Sequence, residues 1–203
     1  MSLSRKKVFI NKAVLEIKTS LFYNKLSEMI TLASVGNQQY QYINIGEYKS
    51  KGIRTNTSYS FLNKYSINYS FYCLGRYNQI SENDYLNKYV YSFDHSFSIT
   101  KTFIDIKADI SLFYKLNGKL PSLRLDNNGQ VQNSMINGYG IMDISANKVI
   151  KSRLNLVFGC KNLFNIQSIE AINLSSNVHQ SNQNSLSIAY GRSFFISINY
   201  KIK

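Results

Sequence analysis

The sequence predicts an all-β protein, an antiparallel transmembrane β-sheet of about eight strands that forms a segment of a β-barrel. Three observations predict it. Apolar and polar residues alternate along most of the chain, the alternating segments are long, and the connections between them are short and long in turn. The composition agrees, since 16 Tyr and 12 Phe stand against a single Pro, and aromatic residues favour strands.

The first four predicted strands show the alternation clearly. They cover residues 13–23, 53–61, 65–73 and 89–99. In 65–73, for example, Tyr65, Ile67 and Tyr69 share one parity, while Ser66 and Asn68 take the other. Because neighbouring side chains of a strand point to opposite faces, each segment presents one apolar and one polar face.

The last four predicted strands repeat the pattern. They cover residues 104–114, 142–146, 154–160 and 191–203. In the final segment Phe194, Ile196 and Ile198 alternate with Ser197 and Asn199. This closing strand is long and two-faced, so its apolar side needs an apolar environment.

Strand length separates a membrane sheet from a soluble β-sandwich, which also alternates. Most of the alternating segments approach or exceed the roughly nine to eleven residues that cross a bilayer, whereas strands of soluble proteins most often have about five or six. Aromatic residues such as Tyr23, Phe61 and Tyr65 lie near segment ends, as in the aromatic girdles of outer-membrane barrels.

The connections alternate in length. Short links are predicted near residues 62–64, 101–102 and 148–151, and long links near 33–41, 78–87, 116–138 and 165–189. Outer-membrane barrels have short periplasmic turns and long outer loops. The apolar face is therefore expected to contact lipid, through Leu15, Ile17, Ile106, Ile110, Leu154, Leu156, Phe194, Ile196 and Ile198.

The polar face is expected to line a wet lumen and to carry charges. The candidates are Asp94, Asp105, Lys107, Asp109, Asp143, Arg153 and Lys161. With turns at the short links named above, Asp94 is predicted to lie near Lys107, and Asp143 near Arg153, at cross-strand or diagonal distance. A ladder of charges that solvates the wall is the simpler interpretation, and direct ligand contact is the alternative.

The net charge of +13 admits nucleic acid, an anionic membrane surface or anionic ligands as partners. The longest basic run is Arg5-Lys6-Lys7, so nucleic-acid binding by a soluble basic β-domain stays a secondary alternative and nucleic acid is not expected as a partner. No apolar stretch follows the basic start, which predicts no signal peptide here. Lys49 and Lys51 share the parity of Ile53 and are candidates for lipid A phosphates in lipopolysaccharide.

Residues with catalytic or ligating chemistry are few. His95 has the parity of the apolar face, so it is expected to pack among aromatic rings, whereas His179 lies in the last long link and is a candidate ligand contact. Cys73 and Cys160 are far apart in sequence and are expected to act as small apolar residues. Nothing has the spacing of a metal site or a nucleophile with its base, so no enzyme, metal or cofactor is expected.

Four stretches resemble TonB-dependent outer-membrane receptors, in the order found at the end of their barrel. "TSLFYNKLSEMI" (19–30) and "YINIGEYKSKGI" (42–53) resemble a paired segment of these receptors, "LNLVFGCKNLFNIQ" (154–167) resembles their late "NLF" motif, and "YGRSFFISINYKI" (190–202) resembles their final strand. The sequence departs from the family pattern at Arg54, which follows "KGI" where the family usually has Glu.

The resemblance implies a location in the outer membrane and uptake of a scarce ligand such as a siderophore or haem. It also implies that residues 1–203 form the C-terminal portion of a larger barrel without the plug domain, which in the complete receptor would join the TonB complex as a partner. A self-contained eight-stranded barrel that serves as an anchor or adhesin is the first alternative.

Overall fold

The computed structural model describes residues 1–9, 12–36, 39–62, 64–80, 89–125, 128–151, 153–173, 184–187 and 191–202, and these residues form two β-sheets. The strands are β1 (Ser2–Val8), β2 (Val14–Leu26), β3 (Ile30–Gly36), β4 (Gln39–Asn44), β5 (Tyr48–Phe61), β6 (Tyr65–Asn78), β7 (Val90–Phe103), β8 (Ala108–Asn117), β9 (Leu120–Leu125), β10 (Val131–Ile136), β11 (Tyr139–Ile150), β12 (Leu154–Lys161), β13 (Ser168–Asn173), β14 (Asn184–Ser187) and β15 (Ser193–Tyr200).

The main sheet has nine strands in the order β1-β2-β5-β6-β7-β8-β11-β12-β15. Each strand pairs antiparallel with the next, so the sheet follows the order of the chain. Within the described residues, β1 and β15 are its two edges and do not pair with each other. The predicted fold class is confirmed, and the sheet is open rather than a closed eight-stranded barrel.

The strands are staggered along the sheet. A row of direct cross-strand partners starts at Leu15, two residues into β2, passes through Ile99 in the middle of the sheet, and reaches Phe194 at the start of β15. Leu15 lies beside a short turn, whereas Phe194 lies beside a long connection. Closing a sheet into a barrel requires such a stagger with tilted strands, and this open sheet already has it.

From β2 to β15, the register aligns the mainly apolar face of each strand with that of its neighbours. Odd-numbered residues of β2, β5, β6 and β7 share the apolar face with even-numbered residues of β8, β11, β12 and β15. The change of parity occurs across the β7–β8 turn, where Phe103 pairs with Ala108. Leu21 is 51 % exposed and Phe158 46 % exposed on this face, so in the described part of the chain no layer of protein covers it.

A second sheet of six strands, in the order β14-β13-β10-β9-β3-β4, is built from the long connections. Ala33 is completely buried there and packs with Ile45, Leu123 and Leu125. The buried apolar cluster of the described residues therefore lies among the connections and not on the apolar face of the main sheet. These hairpins were not predicted, because each long connection was expected to be a loop.

At the opposite end of the main sheet the connections are short, and they join Val8 to Val14, Phe61 to Tyr65, Phe103 to Ala108 and Ile150 to Leu154. A residue with positive φ occurs in each: Lys12 (61°), Leu62 (49°), Lys107 (49°) and Lys151 (49°). We call this end of the sheet the short-turn end and the other the long-loop end. The predicted asymmetry of the connections is thus present in the structure.

Two predicted turn positions were wrong. The β7–β8 turn lies at 104–107 rather than 101–102, because β7 continues to Phe103. Ile104 and Ile106 are turn residues. Because both are apolar and two positions apart, they continue the alternation of a strand, and the turn was predicted too early. The next short turn begins at Lys151, because β11 continues to Ile150. Strand β1 was not predicted, since its basic residues fall on both faces.

Candidate functional site

The polar face of the main sheet carries a stack of an arginine and two aromatic rings across β2, β5 and β6. Phe22 lies directly opposite Gly52, and Arg54 lies opposite Tyr72. The Phe22 and Tyr72 rings are stacked with centroids 5.8 Å apart, and Arg54 Cζ lies 5.2 Å from the Tyr72 centroid. A Cβ on Gly52 would come within 2.7 Å of Phe22 Cζ, so the glycine makes room for the ring.

Nearer the long-loop end, Arg76 extends the positive charge of this face. Its Nη1 donates a hydrogen bond of 2.9 Å to Oγ of the buried Ser92. The ion pairs found in the described residues join Glu16 to Lys18, and Glu47 to Lys25 and Lys49. Arg54 and Arg76 belong to none of them. Arg54 is instead stacked on Tyr72, and Arg76 is hydrogen-bonded to Ser92.

A second stack of the same kind lies across β12 and β15. Phe195 lies directly opposite Gly159, and a Cβ on that glycine would overlap the Phe195 ring. Lys161 Nζ lies 5.5 Å from the centroid of the same ring. Cations over aromatic rings are attracted by the ring quadrupole, so both stacks fix a basic group on the polar face.

The predicted charge pairs were wrong. Asp94 Oδ1 accepts a hydrogen bond of 2.8 Å from the Gly118 backbone N–H, and Asp143 Oδ1 accepts one of 2.8 Å from the Asn162 backbone N–H. Both carboxylates lie at the long-loop end and hold the chain where it leaves a strand. Lys107 and Arg153 lie at the short-turn end because the turns occur later in the sequence than expected.

The other predicted lumen charges divide between strand and turn. Asp109 is on the polar face, where its Oδ2 accepts a hydrogen bond of 3.3 Å from Asn147 Nδ2. Asp105 belongs to the β7–β8 turn together with Lys107. Asn147 Oδ1 and Asn155 Oδ1 are buried on the polar face and have no hydrogen-bond partner among the described residues, and no sequence pattern marks them.

The register places eight of the nine residues predicted to contact lipid together on the apolar face. They are Leu15, Ile17, Ile110, Leu154, Leu156, Phe194, Ile196 and Ile198. The ninth, Ile106, lies in the β7–β8 turn and not in a strand. Cys73 and Cys160 are free thiols on the same face.

His95 lies on the apolar face within an aromatic cluster. Its Nδ1 forms a hydrogen bond of 2.8 Å with Tyr69 Oη, and its ring centroid is 5.2 Å from that of Phe71. The hydrogen bond satisfies a polar group among apolar neighbours. His179 lies outside the described residues.

At the long-loop end of the apolar face, lysines and tyrosines form a basic and aromatic group around Glu47. Lys51 Nζ lies 4.1 Å from the Tyr89 centroid, and Lys49 Nζ lies 4.9 Å from the Tyr77 centroid. Glu47 forms ion pairs with Lys49 and, at 2.6 Å, with Lys25. Both hydrogen bonds favour the ionised carboxylate and lower the pKa of Glu47 below its usual value, the one to Lys25 most.

Neither a metal site nor a spanning helix is found in the part of the chain that the structure describes. No three His, Cys, Asp or Glu side chains there are grouped as metal ligands. Those residues also contain no helix with the length and apolar character needed to cross a membrane.

Comparison with known proteins identifies the fold. The profile of the family described as "TonB dependent receptor-like, beta-barrel" matches residues 7–163, and the chain belongs to this family. The FrpB iron transporter from Neisseria meningitidis (F3-3 variant) has a similar structure, with a TM-score of 0.64 and 16 % sequence identity. The similarity covers 98 % of this chain and 30 % of FrpB, so the chain spans less than a third of that transporter. No curated protein matches the sequence.

Proposed function

We propose that this chain forms part of the wall of an outer-membrane TonB-dependent receptor that imports a scarce ligand. All of residues 1–203 would belong to its β-barrel, and the plug domain would lie in another part of the receptor. The observation that carries the proposal is the uncovered apolar face of the nine-stranded sheet. An apolar surface of this extent needs a lipid or protein partner, and the family is one of membrane barrels.

The two faces of the main sheet then contact different media. The apolar face, including Leu154, Leu156 and Ile198, contacts the acyl chains of the outer membrane. The polar face lines the lumen, and the short-turn end lies in the periplasm. In this orientation the six-stranded sheet of the long connections stands outside the cell, where it meets the ligand first.

The plug domain is the proposed partner of the polar face. Asn147 Oδ1 and Asn155 Oδ1 are buried acceptors without donors in the described part of the chain, and an unpaired buried polar group costs about 1–3 kcal/mol. Both lie toward the short-turn end of the wall. Donors of a plug, or water held between plug and wall, would satisfy them, and the plug would transmit force from the TonB complex.

The ligand is proposed to be an anionic iron chelate such as a siderophore complex or haem. Arg54 and Arg76 supply guanidinium donors on the polar face, and the Tyr72 ring lies under the Arg54 guanidinium. The similar fold belongs to an iron transporter, which supports this substrate class. His179 remains a proposed ligand contact of the last long connection.

The basic and aromatic group around Glu47 is the proposed contact of the outer leaflet. Lys49 and Lys51 lie at the long-loop end of the apolar face, where phosphates of lipopolysaccharide would be in reach. Their ring contacts with Tyr77 and Tyr89 hold both ammonium groups at this edge.

Uptake of radioactive iron tests the function. Cells that lack their own iron receptors would express the complete reading frame containing this chain, and iron would be offered as a hydroxamate siderophore, a catecholate siderophore or haem. We expect uptake of at least one of these chelates, lost when TonB is deleted. Equal uptake with and without TonB for every chelate would contradict the proposal.

Arginine variants test the polar face in the same assay. Arg54→Gln and Arg76→Gln are each expected to raise the chelate concentration needed for half-maximal uptake at least about tenfold, since a hydrogen bond to a charged group contributes roughly 1.5–3 kcal/mol net and about 1.4 kcal/mol corresponds to tenfold. Arg153→Gln, at the short-turn end, is the matched control and should leave that concentration unchanged.

A further inference from the structure

Strand β1 places two cations beside aliphatic side chains of the apolar face. Arg5 lies directly opposite Ile17, and Lys7 lies opposite Leu15. Both therefore share the face of these two aliphatic side chains, while Lys6 between them points to the polar face with Glu16. The run of three basic residues seen in the sequence is thus divided, with two charges on one face and one on the other.

The four side chains line a cleft of about 280 Å³. Among the residues that the structure describes, Arg5, Lys7, Leu15 and Ile17 line it, so two positive charges lie beside an aliphatic wall and no carboxylate of those residues takes part. The ion pairs of the described residues include neither Arg5 nor Lys7. Lys7 Nζ does lie 4.9 Å from the centroid of Phe9, which directs it toward the turn that ends β1.

The position of the cleft along the strand agrees with a membrane boundary. Lys7 is two residues from Phe9, where the first short turn begins. A cation on the lipid side of a barrel is strongly destabilising at the bilayer midplane and nearly neutral near the interface. Arg5 is two residues deeper, and its long side chain can lay its stem along apolar surface while its charged head reaches the interface.

We propose that this cleft binds an anionic phospholipid of the leaflet at the short-turn end, and the proposal rests on the membrane orientation given above. The phosphate lies between the Arg5 guanidinium, which can donate two parallel hydrogen bonds, and the Lys7 ammonium, which acts as a point charge. An acyl chain follows Leu15 and Ile17. Two cations without a carboxylate select a headgroup of net negative charge, such as phosphatidylglycerol, over a zwitterionic one.

Lipid binding is measured by native mass spectrometry of the purified protein in detergent micelles, titrated with phosphatidylglycerol or phosphatidylethanolamine. The Arg5→Gln/Lys7→Gln variant is expected to bind phosphatidylglycerol at least about tenfold more weakly, because each cation contributes about 1 kcal/mol toward an anionic lipid. Its affinity for phosphatidylethanolamine should change little. Lys6→Gln/Lys18→Gln removes the same charge from the polar face of the same hairpin and should retain the selectivity.

Several outcomes would overturn the lipid site. One is an equal loss of phosphatidylglycerol binding in both double variants, which would mean that net charge alone acts. Another is displacement of the lipid by inorganic phosphate or glycerol phosphate at equal concentration, which would mean a free-phosphate site. A third is unchanged binding by Arg5→Gln/Lys7→Gln.

A second measurement needs no substitution. Phosphatidylglycerol with a photoreactive acyl chain should label peptides containing Leu15 and Ile17 in the unaltered protein. Labelling confined to β15, or equal labelling by the phosphatidylethanolamine analogue, would contradict the proposal. Failure of the protein to float with lipid vesicles would instead contradict the membrane function, so the two failures are distinguishable.

Discussion

At the scale of single residues, glycines opposite aromatic rings shape the polar face. Gly159 lies under the Phe195 ring, and Gly52 lies under Phe22 in the same way. A glycine in a strand interior usually weakens the sheet, and it often marks close approach of another group. Here the approaching group is an aromatic ring from the neighbouring strand. The ring covers the backbone of the glycine, which has no side chain to shield it.

Replacing Gly159 tests this arrangement. Gly159→Val would force the Phe195 ring aside, and we expect the free energy of unfolding to fall by about 1–3 kcal/mol, as in other overpacked sites. Urea unfolding of the protein refolded in detergent measures it. In a Phe195→Ala background the same valine should cost much less. An equal cost in both backgrounds would show that the ring is not the cause.

Lys151 offers a prediction of the opposite sign. Its φ of 49° lies in the left-handed region, which costs a non-glycine residue roughly 1–2 kcal/mol. Lys151→Gly should therefore raise the free energy of unfolding, by up to about 1 kcal/mol after the entropy of glycine is counted. Lys151→Val should lower it, because β-branched residues rarely adopt this conformation. The same urea titration measures both, and a stabilising valine would contradict the argument.

At the scale of the elements, alternation predicts faces well and turns poorly. The face of Leu15, Leu154 and Ile198 could be predicted from the two-residue period of the side chains. A register shift of one residue would move all apolar side chains of a strand to the other face, so the pattern fixes the face. The β7–β8 turn could not be found this way, since Ile104 and Ile106 extend the apolar pattern into it. The hydrogen bonds of Asp94 and Asp143 depend on where loops leave the sheet, which pattern does not give.

Spin labels test which medium each face contacts. The background variant is Cys73→Ser/Cys160→Ala. In it, oxygen dissolved in lipid should accelerate the relaxation of spin labels at Ile17 and Ile198. A water-soluble nickel complex should instead accelerate the relaxation of labels at Ser58 and Ser197, which lie on the polar face. Water accessibility at both isoleucines in lipid vesicles would contradict the membrane orientation.

The ion pairs of Glu47 give a pH dependence at the long-loop end. The pKa of Glu47 is lowered in the folded protein by Lys25 and Lys49, so its contribution to stability is present above the ordinary glutamate range and is lost as pH falls through the lowered pKa. At pH 7 the free energy of unfolding of Glu47→Gln should thus be lower than that of the unaltered protein. This difference should vanish in acid. A difference that grows in acid would contradict this sign.

At the scale of the whole molecule, the main sheet ends in two open edges. The β1 and β15 strands each present N–H and C=O groups without a partner in the described chain. Such groups cost several kcal/mol each in lipid, which explains why a larger barrel is the expected context. The family could be recognised from the sequence because several weak motifs occur in the right order, whereas the ligand could not, since its contacts are not in any one motif.

The isolated chain is therefore expected not to form a stable, water-filled pore. Its edges would either pair with other copies or close on each other, and closure would fill the interior with Phe22, Phe113, Phe195 and the basic residues around them. Refolding in detergent followed by planar-bilayer conductance measures this. A heat-modifiable monomer with large, steady currents would show that the expectation is wrong.

The order of strands in the main sheet has a consequence for how the wall is assembled. Because each strand pairs with the preceding strand of the main sheet, the sheet can grow by one strand at a time from either edge. The entropy of closing each connection rises only slowly with its length, so the long connections delay this growth little. Local pairing of this kind favours fast folding for a β-protein, and it lets a hairpin be gained or lost in evolution by changing the circumference of the barrel without rearranging the remaining strands.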